Sequence, residues 1–141
     1  MTEVSADFLA DLGRLALFAD LPASELEAIA QRCDERSFTS GEWIIRQGDP
    51  RSDVYLIVDG EVVVVIDDED RRLLSKGSFF GEVSVLLGEV ATASILTRTT
   101  LRCLVVPGAE LEAFLLAHPV VMYRILKAEA RRLATASEWP T

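Results

Sequence analysis

The dipeptide Asp59–Gly60 lies between two apolar runs, VYLIV and EVVVVI, and it restricts the fold more than any other short segment. An Asp-Gly pair at the centre of a two-residue loop favours the turn that joins twisted antiparallel strands, so it predicts a β-hairpin. Similar β-type runs recur along the middle of the chain, separated by turn residues, and the predicted strands are Arg36–Thr39, Glu42–Arg46, Val54–Asp59, Glu61–Asp67, Arg71–Ser75, Thr92–Thr97 and Leu101–Val106. Short strands at this regular spacing predict an antiparallel β-roll or jelly-roll barrel.

Helical patterns flank this β-region on both sides. In PASELEAIAQRC, residues 22–33, apolar side chains recur at three- and four-residue spacing, which predicts one face of a helix. After the β-region a helix is predicted over Ala109–Ala117, and Pro119 is predicted to open a longer helix to about Ser137. The 141 residues fit one domain of class α+β, with N-terminal helices in residues 1–33, the β-roll in residues 34–107 and C-terminal helices in residues 108–141.

The predicted helix over residues 119–137 has two faces. Its polar face carries Arg124, Lys127 and Arg131. Its wide apolar stripe consists of Val121, Met122, Ile125, Leu126, Ala128 and Leu133. Such a stripe either packs entirely within the domain or leaves a seam for a partner. A homodimer or another protein partner through this helix, and a broad intramolecular contact, therefore both remain open.

Composition argues against several classes of protein. The formal net charge of −9 argues against a nucleic-acid-binding surface. No apolar run approaches the roughly 18 residues of a membrane span, and the N-terminus lacks the basic region of a secretory signal. Cys33 and Cys103 lie in apolar stretches without metal-ligand or redox spacing, so we interpret them as reduced core residues of a cytoplasmic protein.

An enzymatic function is not expected. The only histidine is His118, directly before Pro119, where a role at a helix start is expected. One such histidine supplies neither the several ligands of a jelly-roll metal enzyme nor a Ser-His-Asp arrangement. The initial methionine and the one-domain layout favour a complete small protein over a fragment.

The stretch FFGEVSVLLGEVATAS, residues 79–94, carries the most chemical information. Gly81 allows a ligand close to the backbone, and a helix that starts near Val83 and Ser84 would present unpaired N–H groups to an anion. Glu82 would repel that anion unless its carboxylate accepts hydrogen bonds from hydroxyl groups, such as the vicinal hydroxyls of a sugar. The residues fit a sugar phosphate, although a plain turn followed by an acidic first helical turn fits them equally well.

The order of these elements resembles the cyclic nucleotide-binding domain. The resemblance covers nearly the whole chain, through LFADLPASELEAIA, SGEWIIRQGDPRSDVYLIVDGEV, KGSFFGEVSVL, ATASI and HPVVMYRILKAEARRLATASE. It implies a β-roll with flanking helices, as in the sensor domain of regulators similar to the catabolite activator protein. A DNA-binding domain often follows in such regulators, but this chain ends soon after the long helix, so DNA is not an expected partner.

The resemblance also implies roles for the residues at the start of the predicted short helix. Glu82 would accept a hydrogen bond from the ribose 2′-hydroxyl of a cyclic nucleotide. The backbone N–H groups around Gly81, Val83 and Ser84 would face the cyclic phosphate.

The family's phosphate-binding arginine is missing. Its position falls on Ala91, and Thr92 and Ala93 match the two positions that follow. In members that prefer cGMP, the residue at the position of Thr92 can form a hydrogen bond with guanine. Because a hydrogen bond to a charged group contributes about 1.5–3 kcal/mol, the loss predicts an affinity lower by roughly ten- to a few-hundred-fold.

Other residues could compensate for the missing arginine. Arg98 is near in sequence but is expected at the far end of its strand, and Arg46, Arg51, Arg71 and Arg72 have no predicted place relative to the site. Trp139 follows the long helix, where family members often cap the base, and its ring could stack on a purine or pack on the protein's own surface.

The sequence therefore predicts a non-catalytic sensor or regulatory module. Binding of cAMP or cGMP is expected to be weak or absent, and no other cofactor is expected. Two alternatives remain: a cyclic-nucleotide receptor that uses a different anchor, and a module without a ligand that serves protein interaction or dimerisation.

Overall fold

The computed structural model describes residues 6–50 and 52–135. Its helices are α1 (Ala6–Leu12), α2 (Ala23–Gln31), α3 (Glu82–Leu87), α4 (Leu111–Ala117) and α5 (Pro119–Ala134), with 3₁₀ turns at Ala16–Phe18 and Gly108–Glu110. Its strands are β1 (Asp34–Phe38), β2 (Trp43–Ile45), β3 (Val54–Asp59), β4 (Val62–Ile66), β5 (Glu69–Leu74), β6 (Phe79–Phe80), β7 (Ser94–Thr97) and β8 (Leu101–Val106). No helix within the described ranges has the length and apolar character to cross a membrane.

The strands form two four-stranded antiparallel sheets, with the orders β1-β8-β3-β6 and β2-β7-β4-β5. Together with the flanking helices they confirm the predicted α+β class and the β-roll. The prediction missed β6, which pairs with Tyr55 and Leu56 of β3. A strand of two residues is too short to produce an alternating pattern, so sequence periodicity does not reveal it.

The turn at Asp59–Gly60 does not form the predicted hairpin. The strands on its two sides, β3 and β4, belong to different sheets, so the chain crosses between the sheets at this point. Gly60 has a φ of 102°, and a Cβ atom there would collide with the carbonyl oxygen of Thr100. The hairpin instead joins β4 to β5 through Asp67 and Asp68, whose φ angles of 53° and 64° fit a type I′ turn.

Two groups of buried apolar side chains form the core. One lies between the two sheets and includes Ile57, Val62 and Cys103. The other lies between the helices and the sheet that contains β3 and β8, and it includes Phe8 and Cys33. Both cysteines are free and buried, as predicted, and burial raises the pKa of each thiol to about 12.

Helix α5 buries only part of its predicted apolar stripe. The residues that pack against the core are Val121, Ile125 and Ala128. Leu126 and Leu133 of the stripe remain exposed, as do the neighbouring Val120 and Tyr123. His118 directly precedes the helix, as predicted, and its Nδ1 lies 3.1 Å from Oε2 of Glu25 in α2. The stripe therefore splits into an intramolecular contact and an exposed apolar face.

Arg124, on the predicted polar face of α5, contacts the N-terminal segment of the chain. Its Nη1 donates hydrogen bonds to the carbonyl oxygens of Ala16, Leu17 and Ala19, at 3.3, 3.0 and 2.8 Å. These carbonyls belong to the 3₁₀ turn and its C-terminal end, where main-chain acceptors lack the partners that a continuing helix would supply. The guanidinium thus anchors α5 to the N-terminal helices.

Candidate ligand site

A glycine with a positive φ directs the chain from β6 into α3. Gly81 has a φ of 90°, and a Cβ atom there would collide with the carbonyl oxygen of Asp53, so only glycine fits without strain. Glu82 is the first residue of α3, whereas the sequence pattern placed it just before the helix. The N–H groups of the first turn, which includes Val83 and Ser84, have no intrahelical acceptor. They could instead donate hydrogen bonds to a ligand.

A cavity of about 310 Å³ lies between α3, the β-roll and the C-terminal turns of α5. Seven of the eight predicted site residues line it, namely Gly81, Glu82, Val83, Ser84, Ala91, Thr92 and Ala93. The eighth, Trp139, lies outside the described residues. The rest of the wall is mostly apolar, with Ile45, Val64, Ile66, Leu74, Phe79, Phe80, Ile95 and Leu133. A concave apolar cavity with a few polar groups is the usual form of a small-molecule site.

The backbone holds Ala91 firmly at the cavity wall. Its N–H donates to the carbonyl oxygen of Asp49 at 2.9 Å, and its carbonyl oxygen accepts from the N–H of Gly48 at 2.8 Å. The residue is buried, and its side chain ends at a methyl group. The backbone at position 91 is therefore held in place by hydrogen bonds, but the alanine side chain supplies neither charge nor a hydrogen-bond donor to the cavity.

Arg132 of α5 supplies the cation that contacts Glu82. Its Nη1 donates to Oε2 of Glu82 at 2.9 Å and to Oε1 of Glu129 at 3.1 Å. Its Nη2 donates to Oγ of Ser78 at 3.2 Å and to the carbonyl oxygen of Phe79 at 2.6 Å. The guanidinium carbon also lies 4.2 Å from the centre of the Phe79 ring, within the range of a cation–π contact. One side chain thus joins α5 to β6 and α3.

Glu82 is an acidic group in an unfavourable place for charge. Its side chain is 5% exposed. Burial, and then the neighbouring Glu129 carboxyl, raise the pKa of Glu82 from 4.5 to about 8, although Arg132 opposes the shift. Burial therefore favours the protonated form of the Glu82 carboxyl in the ligand-free protein, against the opposing effect of Arg132.

The raised pKa of Glu82 predicts that the wild-type protein loses stability as pH increases. Between the unfolded value near 4.5 and the folded value near 8, the folded chain binds more protons at this group than the unfolded chain does. The free energy of unfolding should therefore fall over this window, by about 3 kcal/mol relative to the Glu82→Gln variant. Urea unfolding of both proteins at pH 5 and pH 8 measures the difference in their free energies of unfolding. The other titrating groups occur in both proteins, so their contributions cancel in this difference. A difference that stays constant with pH would contradict the assignment.

The structure also places the arginines whose positions the sequence left undetermined. Arg71 and Arg72 of β5 both line the cavity, although consecutive strand residues normally point to opposite faces. A register shift between β4 and β5 at Val64/Val65 explains this, because a bulge redirects side chains. Arg46 lies over the ring of Trp43, outside the cavity wall.

Two further arginines were candidates for a compensating charge. Arg98 is exposed and lies away from the cavity wall, as expected from its position on the strand. Arg51 lies outside the described residues. Sequence reasoning did not single out Arg132 at all, although an arginine three residues after Glu129 on the long helix was a usable signal.

Comparisons with known proteins agree with this architecture. The sequence model of the family described as the cyclic nucleotide-binding domain matches residues 35–118. A cGMP-dependent protein kinase of Plasmodium berghei is 33% identical over 116 residues, which are 82% of this chain and 14% of that protein. A putative potassium channel protein of Rhodopseudomonas palustris is 33% identical over 117 residues, which are 81% of this chain and 28% of that protein. This chain thus spans only a minor part of the length of these relatives.

Solved structures share the fold. The catabolite activator protein of Thermus thermophilus superposes with a TM-score of 0.75 at 27% identity, covering 86% of this chain and 59% of that one. The regulatory subunit of a cAMP-independent protein kinase A from Trypanosoma brucei has a TM-score of 0.75 at 23% identity, covering 89% of this chain and 45% of that one. At that identity, the second likeness concerns the fold alone.

Proposed function

The chain belongs to the cyclic nucleotide-binding domain family, and we propose that it is a non-catalytic regulatory module with weak or no affinity for cAMP and cGMP. The observation that carries the proposal is the methyl group of Ala91 at the cavity wall, where the family's arginine would contact the phosphate. Glu82, which would contact the ribose, is already paired with Arg132. Of the two side chains that would hold a cyclic nucleotide, the arginine is therefore missing and the glutamate is already hydrogen-bonded to Arg132.

The acidic pair beside α3 offers an anion no net attraction. Glu82, whose pKa is raised to about 8, and Glu129 both accept hydrogen bonds from Arg132, so this guanidinium is already engaged by two carboxyl groups. Apart from Arg71 and Arg72, most of the remaining wall is apolar and supplies no charge to a cyclic phosphate.

Titration calorimetry of the nucleotide-free protein with cAMP and then cGMP tests the proposal. No heat, or a dissociation constant near the millimolar range, is the expected result for the wild type. Dissociation constants in the micromolar range or below would contradict the proposal and would identify the protein as a cyclic-nucleotide receptor.

A second candidate is a cyclic-nucleotide receptor with a different anchor, and Arg71 and Arg72 favour it. Both line the cavity, and among the described residues neither has an ion pair or a side-chain hydrogen bond. If the wild type binds cAMP tightly, Arg71→Ala or Arg72→Ala should weaken that binding. The exposed Arg98→Ala serves as the matched control, because it removes the same charge away from the cavity wall.

The proposal extends to partners, location and domain organisation. A protein partner or a second copy of the chain would pack on α5, through the exposed apolar face formed by Tyr123, Leu126 and Leu133. Sedimentation that shows only monomers at high protein concentration would exclude the homodimer. The proposal also includes one domain over residues 1–141, a cytoplasmic location, and no DNA or membrane partner, in keeping with the net charge of −9.

A further inference from the structure

The cavity is small, and most of its wall is apolar. Its volume of about 310 Å³ lies at the lower end of the range of roughly 300–1,000 Å³ that is usual for ligand sites. The two polar side chains that α3 contributes already have partners in the protein: Glu82 accepts from Arg132, and Oγ of Ser84 donates to the carbonyl oxygen of Gly81 at 3.4 Å. The α3 side of the cavity therefore suits the apolar part of a ligand better than its charged part.

The unpaired cations of the cavity belong to β5. Arg71 and Arg72 line the cavity and are exposed, so they lie at its mouth, where solvent reaches them. Among the described residues, neither side chain has an ion pair or a hydrogen bond. The acidic residues of the same strand, Glu69 and Asp70, are not part of the cavity wall. This part of the wall therefore offers a ligand a net positive charge.

The positions of the strands separate this charge from position 91. β4 lies between β5 and β7, so Arg72 lies opposite Val64, and Val64 lies opposite Ile95. Because neighbouring strands are about 4.8 Å apart, about 10 Å separates the Cα atoms of Arg72 and Ile95. Ala91 lies in the loop that leads into β7. A ligand whose charged group contacts β5 can therefore place an apolar body along the wall toward β7.

We propose that the cavity binds a small, mainly apolar molecule with a single acidic group, and that Arg71 and Arg72 contact this group. The inference rests on the proposed function, because a tightly bound cyclic nucleotide would fill the same space. The apolar body packs against the wall near Val64 and Ile95, and the charge stays at the mouth, where it keeps part of its hydration. A neutral molecule of the same shape gains the apolar contact alone.

Fluorescence titration with two naphthalene probes tests the role of the charge. The probe 1-anilinonaphthalene-8-sulfonate carries one acidic group, and N-phenyl-1-naphthylamine has the same rings without it. The double variant Arg71→Ala/Arg72→Ala is expected to bind the sulfonate about tenfold more weakly than the wild type, because two exposed charge contacts are lost. Its affinity for the neutral amine should stay within about twofold of the wild type. Arg98→Ala is the matched control, since it removes an exposed charge away from the cavity wall, and it should bind both probes as the wild type does.

Methyl NMR spectra of the wild type locate the bound probe without any substitution. The sulfonate should shift the methyl signals of Val64 and Ile95, which line the cavity, and leave those of the exposed Leu126 on α5 unchanged. Shifts confined to the α5 face would overturn the proposal. Absence of sulfonate binding to the wild type, or equal losses for the two probes in the double variant, would overturn it as well.

The outcome for the proposed function is read separately, by calorimetry with cAMP and cGMP. Micromolar cyclic-nucleotide binding would contradict the proposed function, whereas the comparison of the two probes would still show whether the β5 arginines select an acidic group. If the sulfonate bound independently of Arg71 and Arg72 while the wild type bound no cyclic nucleotide, the ligand class alone would be wrong.

Discussion

The Ala91→Arg substitution is expected to tighten the affinity for cAMP by roughly ten- to a few-hundred-fold. A hydrogen bond to a charged group contributes about 1.5–3 kcal/mol, and each 1.4 kcal/mol changes a dissociation constant about tenfold. A guanidinium can also pair with two phosphate oxygens at once. Because the backbone of Ala91 is hydrogen-bonded to Gly48 and Asp49, the new side chain should extend from a fixed point of the wall into the cavity of about 310 Å³.

The Ala91→Gln variant is the control for size without charge. Its side chain is long and polar but neutral, so it should leave cAMP binding close to that of the wild type. Calorimetry of the three proteins under one buffer condition gives the comparison. Comparable tightening by glutamine, or none by arginine, would show that position 91 is not where the phosphate anchor was lost.

The Gly81→Ala substitution is expected to destabilise the protein by about 3–5 kcal/mol. Two effects add at this position. A positive φ of 90° is costly for any residue with a Cβ atom, and that atom would also collide with the carbonyl oxygen of Asp53, a backbone atom that cannot turn aside as a flexible side chain could. Urea unfolding at a fixed pH measures the loss.

Gly77→Ala isolates the contribution of the backbone angle. Gly77 has nearly the same φ, 89°, but nothing lies within 4 Å of the position that an alanine methyl group would take. It should lose only about 1 kcal/mol. Similar losses in the two variants would mean that the close approach of Asp53 to Gly81 relaxes at little cost, and that Gly81 is needed only for its backbone angle.

The candidate site was predictable as far as it depends on a continuous segment. Residues 81–84 and 91–93 lie within a short stretch, and the fold brings them to one cavity because a strand, a helix and a loop follow each other directly. Arg132 was not predicted, since it lies fifty residues from Glu82 in the chain and meets it only when α5 folds back on the roll. The partners of Arg124 were not predictable for the same reason: periodicity shows which face of α5 is polar, but not that three main-chain carbonyls lie opposite Arg124.

Sequence by itself determined the element types, the flanking of a β-roll by helices, the burial of both cysteines and the absence of a charge at position 91. These features depend on local periodicity and on residue identity, which a single chain displays directly. Tertiary structure alone decided that Asp59–Gly60 connects two sheets, that a bulge lets both Arg71 and Arg72 line the cavity, and that Arg132 donates a hydrogen bond to Glu82. Each of these depends on contacts between segments far apart in the chain, and local patterns carry no information about which distant groups will satisfy one another's hydrogen bonds and charges.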